Sequence, residues 1–544
     1  MTRKGFVEVE GRRLHYVRMG EGPAVVMLHA SPCSAKVMAP LQAILAARFT
    51  AFAFDLPGFG LSDPPPGETV ETWQLADTIA GAIRALGLTQ VAAYGRHTGA
   101  GIAVEMARRH PALVSMVLTD GFPVFAQPYS DERLAEYLPP IVPRWDGGHL
   151  TWTWFRYREQ HVFWPWDRSV AAHRADTEVP DLDFLHRGTV ELLEVAAYRQ
   201  VYASAFRHPG LAMIGEVTVP VCYGNRPGDS QHKTMKLYPP TAWTKEFPRD
   251  ALEAAALECR VLAQHPAQGV VPAHASGIRP GADATGYVTT RSGEGFAIIK
   301  GAGRPGLPLV VLHDLPGSAT LHADWIAAMA AHRPVLALDL GGNGHSDAET
   351  VGVAQWAGEV EDLLAAAGVA RAAVHAIGGA AVVGVELARR RPDLVAGLLL
   401  QSPPLGVESW TDRVPDIAPA GDGGHLLRLW HHLRDQELWF PWFATTPAHA
   451  RMVEPRIAPA ALQMRAVAMM RQPRHYRAIW QAVLGYDLAE AMVRVTVPMA
   501  VTSHPQDVFA PCHERAAALC GSAPVDALAW ISSVADADRA RRDG

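Results

Sequence analysis

The sequence predicts an α/β chain of two tandem domains, each a mostly parallel sheet flanked by helices with an inserted helical cap. Three observations lead there. The chain has 544 residues, whereas single hydrophobic cores stop growing near about 250–300 residues. It repeats itself once along its whole length, a tandem duplication and not a solenoid. Within each copy, continuous apolar runs alternate with amphipathic ones, the pattern of a parallel sheet covered on both faces.

The repeat is legible segment by segment. "AVVMLHASPCSA" returns as "LVVLHDLPGSA", "FAFDLPGFGLSD" as "LALDLGGNGHSD", and "DGGHLTWTWFRYREQHVFWPW" as "DGGHLLRLWHHLRDQELWFPW". Pairs from His29 with His313 to Asp146 with Asp422 keep an offset of 276 to 284 residues. The join falls in a Pro/Gly/Ala-rich stretch with neither helical nor strand period. The expected division is domain 1 over 1–265 (cap about 122–213), a linker over 266–284, and domain 2 over 285–544 (cap about 403–490).

The elements of the first copy follow in order. A short strand pair opens it ("GFVEVEGRRLHYVRMG"), then an apolar strand ("AVVMLH"), a helix, and a second apolar strand ("FTAFAFDL"). A helix over 73–87, a strand over 90–94, a small-residue turn holding His97 and a helix over 100–109 come next. After the strand "VSMVLTDG" the chain enters a long, aromatic-rich helical insertion and returns to the strand "TVPVCYG". In such sheets the chemistry gathers at the carboxyl ends of the strands.

Bulk properties exclude several classes. A net charge of −6 offers no footprint for nucleic acid. No apolar run has the roughly 18 residues of a membrane span, and the N-terminus lacks the apolar core of a signal peptide. Five scattered cysteines (Cys33, Cys222, Cys259, Cys512, Cys520) form no C-x-x-C pair and imply free thiols. The expectation is a cytoplasmic protein with a small-molecule ligand, no cofactor and no metal; a site of His29, His97 and Asp120 can be drawn, but the spacing has none of the tightness of a zinc motif.

Both copies resemble the α/β-hydrolase fold family. His29-Ala30-Ser31-Pro32 sits where that family has its oxyanion loop, and "DLPGFGLSD" where it has the turn after the next strand. Gly95-Arg96-His97-Thr98-Gly99 occupies the nucleophile elbow, and Asp229 matches the acid after the strand that follows the cap. The resemblance implies a hydrolase. Two departures stand out: His97 replaces the usual Ser, Cys or Asp, and the C-terminal Gly-His pair of the family is missing.

The duplication is an internal control: what both copies keep serves the fold, and what one copy alone keeps is a candidate for chemistry. His97 is matched by Gly378, which has no reactive atom, and Asp120 by Gln401, so the second copy reads as catalytically silent. An imidazole held by a carboxylate can activate water or abstract a proton; as a nucleophile it would form an acyl-imidazole. Asp120 is the expected partner and Asp229 the competitor, since Asp507 survives in the silent copy. By the resemblance, the backbone N–H groups of Ser31 and Thr98 polarise the substrate. In the cap, Arg158 or His149 is expected to grip an anionic or carbonyl group among aromatic walls that include Trp154 and Trp166, although the second copy keeps most of that set, which favours structure. The reading is a cofactor-free enzyme hydrolysing a small ester, lactone or related carbonyl compound. The alternatives are a non-catalytic small-molecule-binding protein, or a lyase or isomerase using His97 for proton transfer. The two domains are expected to pack as a pseudo-dimer.

Overall fold

Period-two burial organises the first sheet. Val25 and Met27 face one helical layer with Ala51, Ala53, Ala92, Tyr94, Met116 and Leu118, while the intervening Val26, Leu28, Phe52, Ala93 and Val117 face the other and are equally buried. A strand apolar on both sides must be covered on both sides, and each fully buried side chain of this size contributes about 1.5–3 kcal/mol.

In the computed structural model, residues 2–543 are described except 126, 177, 196, 276, 349–350 and 522–524. The first half supplies β1 (Thr2–Val9), β2 (Arg12–Met19), β3 (Ala24–Leu28), β4 (Thr50–Phe54), β5 (Val91–Arg96), β6 (Val114–Asp120), β7 (Val221–Asn225) and β8 (Trp243–Glu246). They form one sheet in the order β1-β2-β4-β3-β5-β6-β7-β8. The β1–β2 and β2–β4 pairs are antiparallel and the rest parallel. The helices Thr72–Ala85 and Thr98–Arg109 pack on each other beside this sheet. Between β6 and β7 lie the helices Asp131–Tyr137, Gly148–Glu159, Leu182–Glu194, Tyr198–Arg207 and Gly210–Met213.

The second half repeats the plan with β9 (Ala284–Thr290), β10 (Gly293–Lys300), β11 (Leu309–Leu312), β12 (Val335–Leu338), β13 (Ala372–Ile377), β14 (Val395–Gln401) and β15 (Met499–Thr502). From one edge they run β9-β10-β12-β11-β13-β14-β15, the first sheet's order without a counterpart of β8. Helices Gly424–Leu438, Pro459–Met470, Tyr476–Leu484 and Leu488–Val493 lie between β14 and β15. By contacts the chain separates into two units: the residues up to Val142 with Trp152–Ala275, and the short segment Pro143–Thr151 with the remainder. No helix of the described residues is long and apolar enough to cross a membrane.

Candidate functional site

The turn between β5 and the helix Thr98–Arg109 leaves a single residue, His97, outside both elements. Its backbone sits at φ 47°, ψ −111°, a region that costs a non-glycine residue about 1–3 kcal/mol and persists only where the surroundings enforce it. They do so by close approach. A Cβ on Gly95 would lie 2.3 Å from the Gly99 carbonyl oxygen, and one on Gly99 would lie 2.1 Å from that of Leu28. The helix therefore folds straight back over the strand, and the His97 side chain is thrown off the sheet's carboxyl edge.

The ring lands on an acid. His97 Nε2 is 2.9 Å from Asp229 Oδ2, with side chains 29% and 14% exposed respectively. Asp229 also accepts the Gln231 N–H on Oδ1 at 2.8 Å, which fixes its carboxylate. Burial works against a charged His97, but the Asp229 carboxylate overrides it and holds the imidazole above its ordinary value. Burial likewise opposes the charged Asp229, and the His97 ring overrides it, drawing the acid down to about 2. With Nε2 on the carboxylate, Nδ1 is the nitrogen left to face a ligand. Gly121 makes room for the ring: a Cβ there would stand 3.0 Å from His97 Cε1.

The partner of His97 is thus Asp229, and the expected pairing with Asp120 does not form. Strand parity explains the difference. Arg96 and Asp120 are neighbours in register on β5 and β6, so their side chains share a face, and His97, one residue further, leaves on the other. Asp120 is 1% exposed and is held by Arg226 Nε at 3.2 Å and Arg96 Nε at 3.5 Å. Arg226 Nη2 also donates to Glu258 at 2.7 Å. Burial and the Asp120 charge push Glu258 up to about 7. This buried cluster under the strand tips had no signal in the sequence beyond the single-copy status of Arg96, Asp120 and Arg226.

Ser31 and Thr98 are both buried. The Gly99 N–H donates to the His29 carbonyl at 3.1 Å, tying the Ser31 loop to the helix start. His29 is scaffold: Nδ1–H donates to the Ala30 carbonyl at 2.8 Å and Nε2 accepts the Leu56 N–H at 2.9 Å. Among the described residues, neither the Ser31 nor the Thr98 N–H has an acceptor, and Ser31 Oγ is buried without a partner.

The second domain shows what those two amides can hold. Their counterparts, Leu315 N–H and Gly379 N–H, both donate to one atom, Asp314 Oδ1, at 2.9 and 2.7 Å. Asp314 stands where the first domain has Ala30. It also excludes a side chain at the turn: Gly378 has φ 53°, and a Cβ on it would be 2.2 Å from Asp314 Oδ1. The acid is answered too. Ser402, the counterpart of Gly121, donates to Asp507 Oδ2 at 2.8 Å, and Gln401 donates to the same oxygen at 2.9 Å.

The remaining residues expected in the site are held by partners other than His97. His149 belongs to the segment that groups with the second unit, and its Nδ1 accepts the Arg144 N–H at 3.0 Å. Arg158 pairs with its neighbour Glu159 at 2.9 Å. Trp154 is fully buried. Trp166 donates from Nε1 to the Tyr137 carbonyl at 3.1 Å, and its ring lies under the Arg156 guanidinium, 5.1 Å away. Closer to the site, Cys33 meets Tyr157 Oη at 3.5 Å, and burial pushes its thiol up to about 12, which removes it as a nucleophile.

Residues 23–200 match the family described as alpha/beta hydrolase fold. The chain is similar to 2-(acetamidomethylene)succinate hydrolase of Mesorhizobium japonicum, 36% identical over 21% of this chain and 41% of that one. It is similar to bifunctional epoxide hydrolase 2 of Rattus norvegicus, 35% identical over 22% of each chain. Among solved structures, epoxide hydrolase A from Mycobacterium thermoresistibile covers 49% of this chain and 100% of its own at 17% identity and a TM-score of 0.39. The chain therefore spans less than half the length of these two curated relatives.

Proposed function

We propose, from the premise that this is a chain of the α/β-hydrolase fold, that its first domain hydrolyses a small ester, lactone or related carbonyl compound with His97 as the base. One observation carries the reading: a histidine forced to φ 47° at the strand edge with its ring on a carboxylate 2.9 Å away. A histidine gains nothing for packing from such a backbone, so the strain is offset by what the ring does.

The steps follow from the geometry. Asp229 orients the ring through Nε2 and favours the imidazolium that forms. Nδ1 takes a proton from water, and the resulting hydroxide adds to the carbonyl carbon. The carbonyl π-electrons move to oxygen, where the Ser31 and Thr98 amides receive the negative charge. The tetrahedral centre then expels the alkoxide, which takes the proton back from His97 Nδ1, leaving acid and alcohol. These residues supply every proton and charge the sequence of steps needs. The second domain is a scaffold without turnover, since Asp314 fills the place of the oxyanion and Gly378 that of the base. Both similar proteins, a hydrolase of a succinate derivative and an epoxide hydrolase, support hydrolysis as the reaction type.

The test is a panel of activated esters and lactones assayed with the wild type and His97→Ala. Loss of His97 lowers kcat/KM by about 100-fold or more on any substrate the protein turns over. Equal activity in the two proteins removes His97 from the mechanism.

A further inference from the structure

In the first domain's helical segment Arg156 is buried, whereas Arg158 is not. The Arg156 side chain is 2% exposed, among the largest fully buried in the chain. Nη1 donates to Gln160 Oε1, while Nε and Nη2 donate to no protein acceptor. Among the described residues, no carboxylate comes within ion-pair distance of it. Elsewhere in the chain the Nε/Nη2 edge is the one that takes a carboxylate side-on: Arg109 uses it on Asp77 at 2.8 and 2.7 Å. A guanidinium taken out of water without an anion is expensive, and the fork left over is the one shaped for two oxygens.

Two neighbours of Arg156 relate this charge to His97 and to the Ser31 loop. His161, one helical turn and a residue beyond Arg156, feels the charges of Arg96, Arg156 and His97 together, which after burial press it down to about 4. Tyr157, the next residue, reaches Cys33, two residues past Ser31. The second domain removes the same feature: Trp154 matches Trp430 and Gln160 matches Gln436, so Arg156 matches His432. Burial drives His432 down to about 3, so it is neutral, and Gln436 meets its Nε2 at 3.0 Å. The silent copy keeps the glutamine and replaces the cation by a group that needs no anion.

We propose that Arg156 is a binding residue for a carboxylate carried by the substrate, so that the first domain acts on anionic carbonyl compounds whose acid group docks on Nε and Nη2 while the reacting carbonyl meets His97. The proposal rests on reading the His97 site as a substrate site, and its test is chosen to fail separately from the hydrolase reading. Equilibrium dialysis of the full chain against labelled acetate, benzoate and glutarate needs no turnover. At least one of the three binds the wild type; Arg156→Met weakens that binding tenfold or more, Arg156→Lys falls between, and the melting temperature of Arg156→Met is not lower than that of the wild type. In parallel, kcat/KM for mono-p-nitrophenyl glutarate falls tenfold or more in Arg156→Met, and that for neutral p-nitrophenyl acetate stays within threefold. Carboxylate binding without ester hydrolysis supports the proposal and defeats only the hydrolase reading. Failure of all three acids to bind the wild type, or equal binding to Arg156→Met, overturns it; so does a lower melting temperature with unchanged binding, which makes Arg156 structural.

Discussion

Gly378→Ala is the sharpest probe of the second domain, because its cost is set by one atom. The new Cβ would stand 2.2 Å from Asp314 Oδ1 and 2.5 Å from its Cγ, so the carboxylate must leave the two amides it accepts from. Hydrogen bonds to a charged group contribute about 1.5–3 kcal/mol each, and part returns when the displaced carboxylate finds water, leaving a net loss of about 2–4 kcal/mol. A side chain at φ 53° adds about 1–2 kcal/mol of backbone strain. The single substitution therefore destabilises this region by about 3–6 kcal/mol.

In an Asp314→Ala background the collision is gone and only the strain remains, so Gly378→Ala then costs about 1–2 kcal/mol. The double-mutant coupling is about 2–4 kcal/mol, well above the few tenths expected of independent sites. Denaturant-dependent hydrogen exchange of the peptide covering β13 and the following helix reads it locally, without requiring the two domains to unfold together. Equal costs in the two backgrounds would refute the claim that Asp314 occupies the space of a side chain at 378.

Three further outcomes follow from the first domain. If His97 acts as base it must be neutral, so kcat/KM rises with pH through a midpoint above 6.5, since Asp229 holds the ring above its ordinary value; Asp229→Asn moves that midpoint down because burial and the Arg96 charge, which both lower it, are then opposed only by Asp120. The stability sign is the opposite one: a raised histidine contributes pairing stability that is fully present below its unfolded value and is lost as pH rises through the folded one, which thermal melting of wild type against Asp229→Asn across that range measures. Asp120→Ala leaves Arg226 with Glu258 alone and the half-exposed Arg96 to solvent, and costs about 1–3 kcal/mol of stability by chemical denaturation, while the pH midpoint of activity shifts less than in Asp229→Asn. Gly121→Ala puts a methyl 3.0 Å from the His97 ring at a φ of 78°, so kcat/KM falls by about tenfold or more for a strain of only about 1–2 kcal/mol.

The strand–helix alternation was legible because its signals are local: β3, β4, β5 and β6 are continuous apolar runs, and the helices observed at Thr72–Ala85 and Thr98–Arg109 lie within a few residues of their expected places. His97 was legible because small residues flank it. Its partner was not, because survival of Asp507 in the second copy argued for a structural acid. That survival has another cause: Ser402 and Gln401 satisfy Asp507 where no imidazole can. The parity of Arg96 and Asp120 could have removed Asp120 from consideration, since adjacent tips share a face. Arg158 lies one helical turn beyond Trp154, but it is matched by Arg434, whereas the rule that single-copy features are candidates for chemistry points to Arg156, which His432 replaces.

Three positions change together between the halves, and each change makes sense only with the others. A side chain at 97 requires that residue 30 stay small, since the carboxylate at 314 occupies the space a Cβ at 378 would need. A ring at 97 requires glycine at 121, and removing the ring leaves an acid that Ser402 must answer. Ala30, His97 and Gly121 therefore form one compatible set, and Asp314, Gly378 and Ser402 form another. The route between them passes through clashes or unpaired charge: Asp beside His97, or an acid without a donor. Drift that merely loses an unused residue has no reason to install an acceptor on two amides and a donor on the acid. Where the first domain leaves the Ser31 and Thr98 amides without an acceptor and pairs Asp229 with His97, the second gives both amides to Asp314 and answers Asp507 with Ser402, so its buried polar groups are satisfied within the protein.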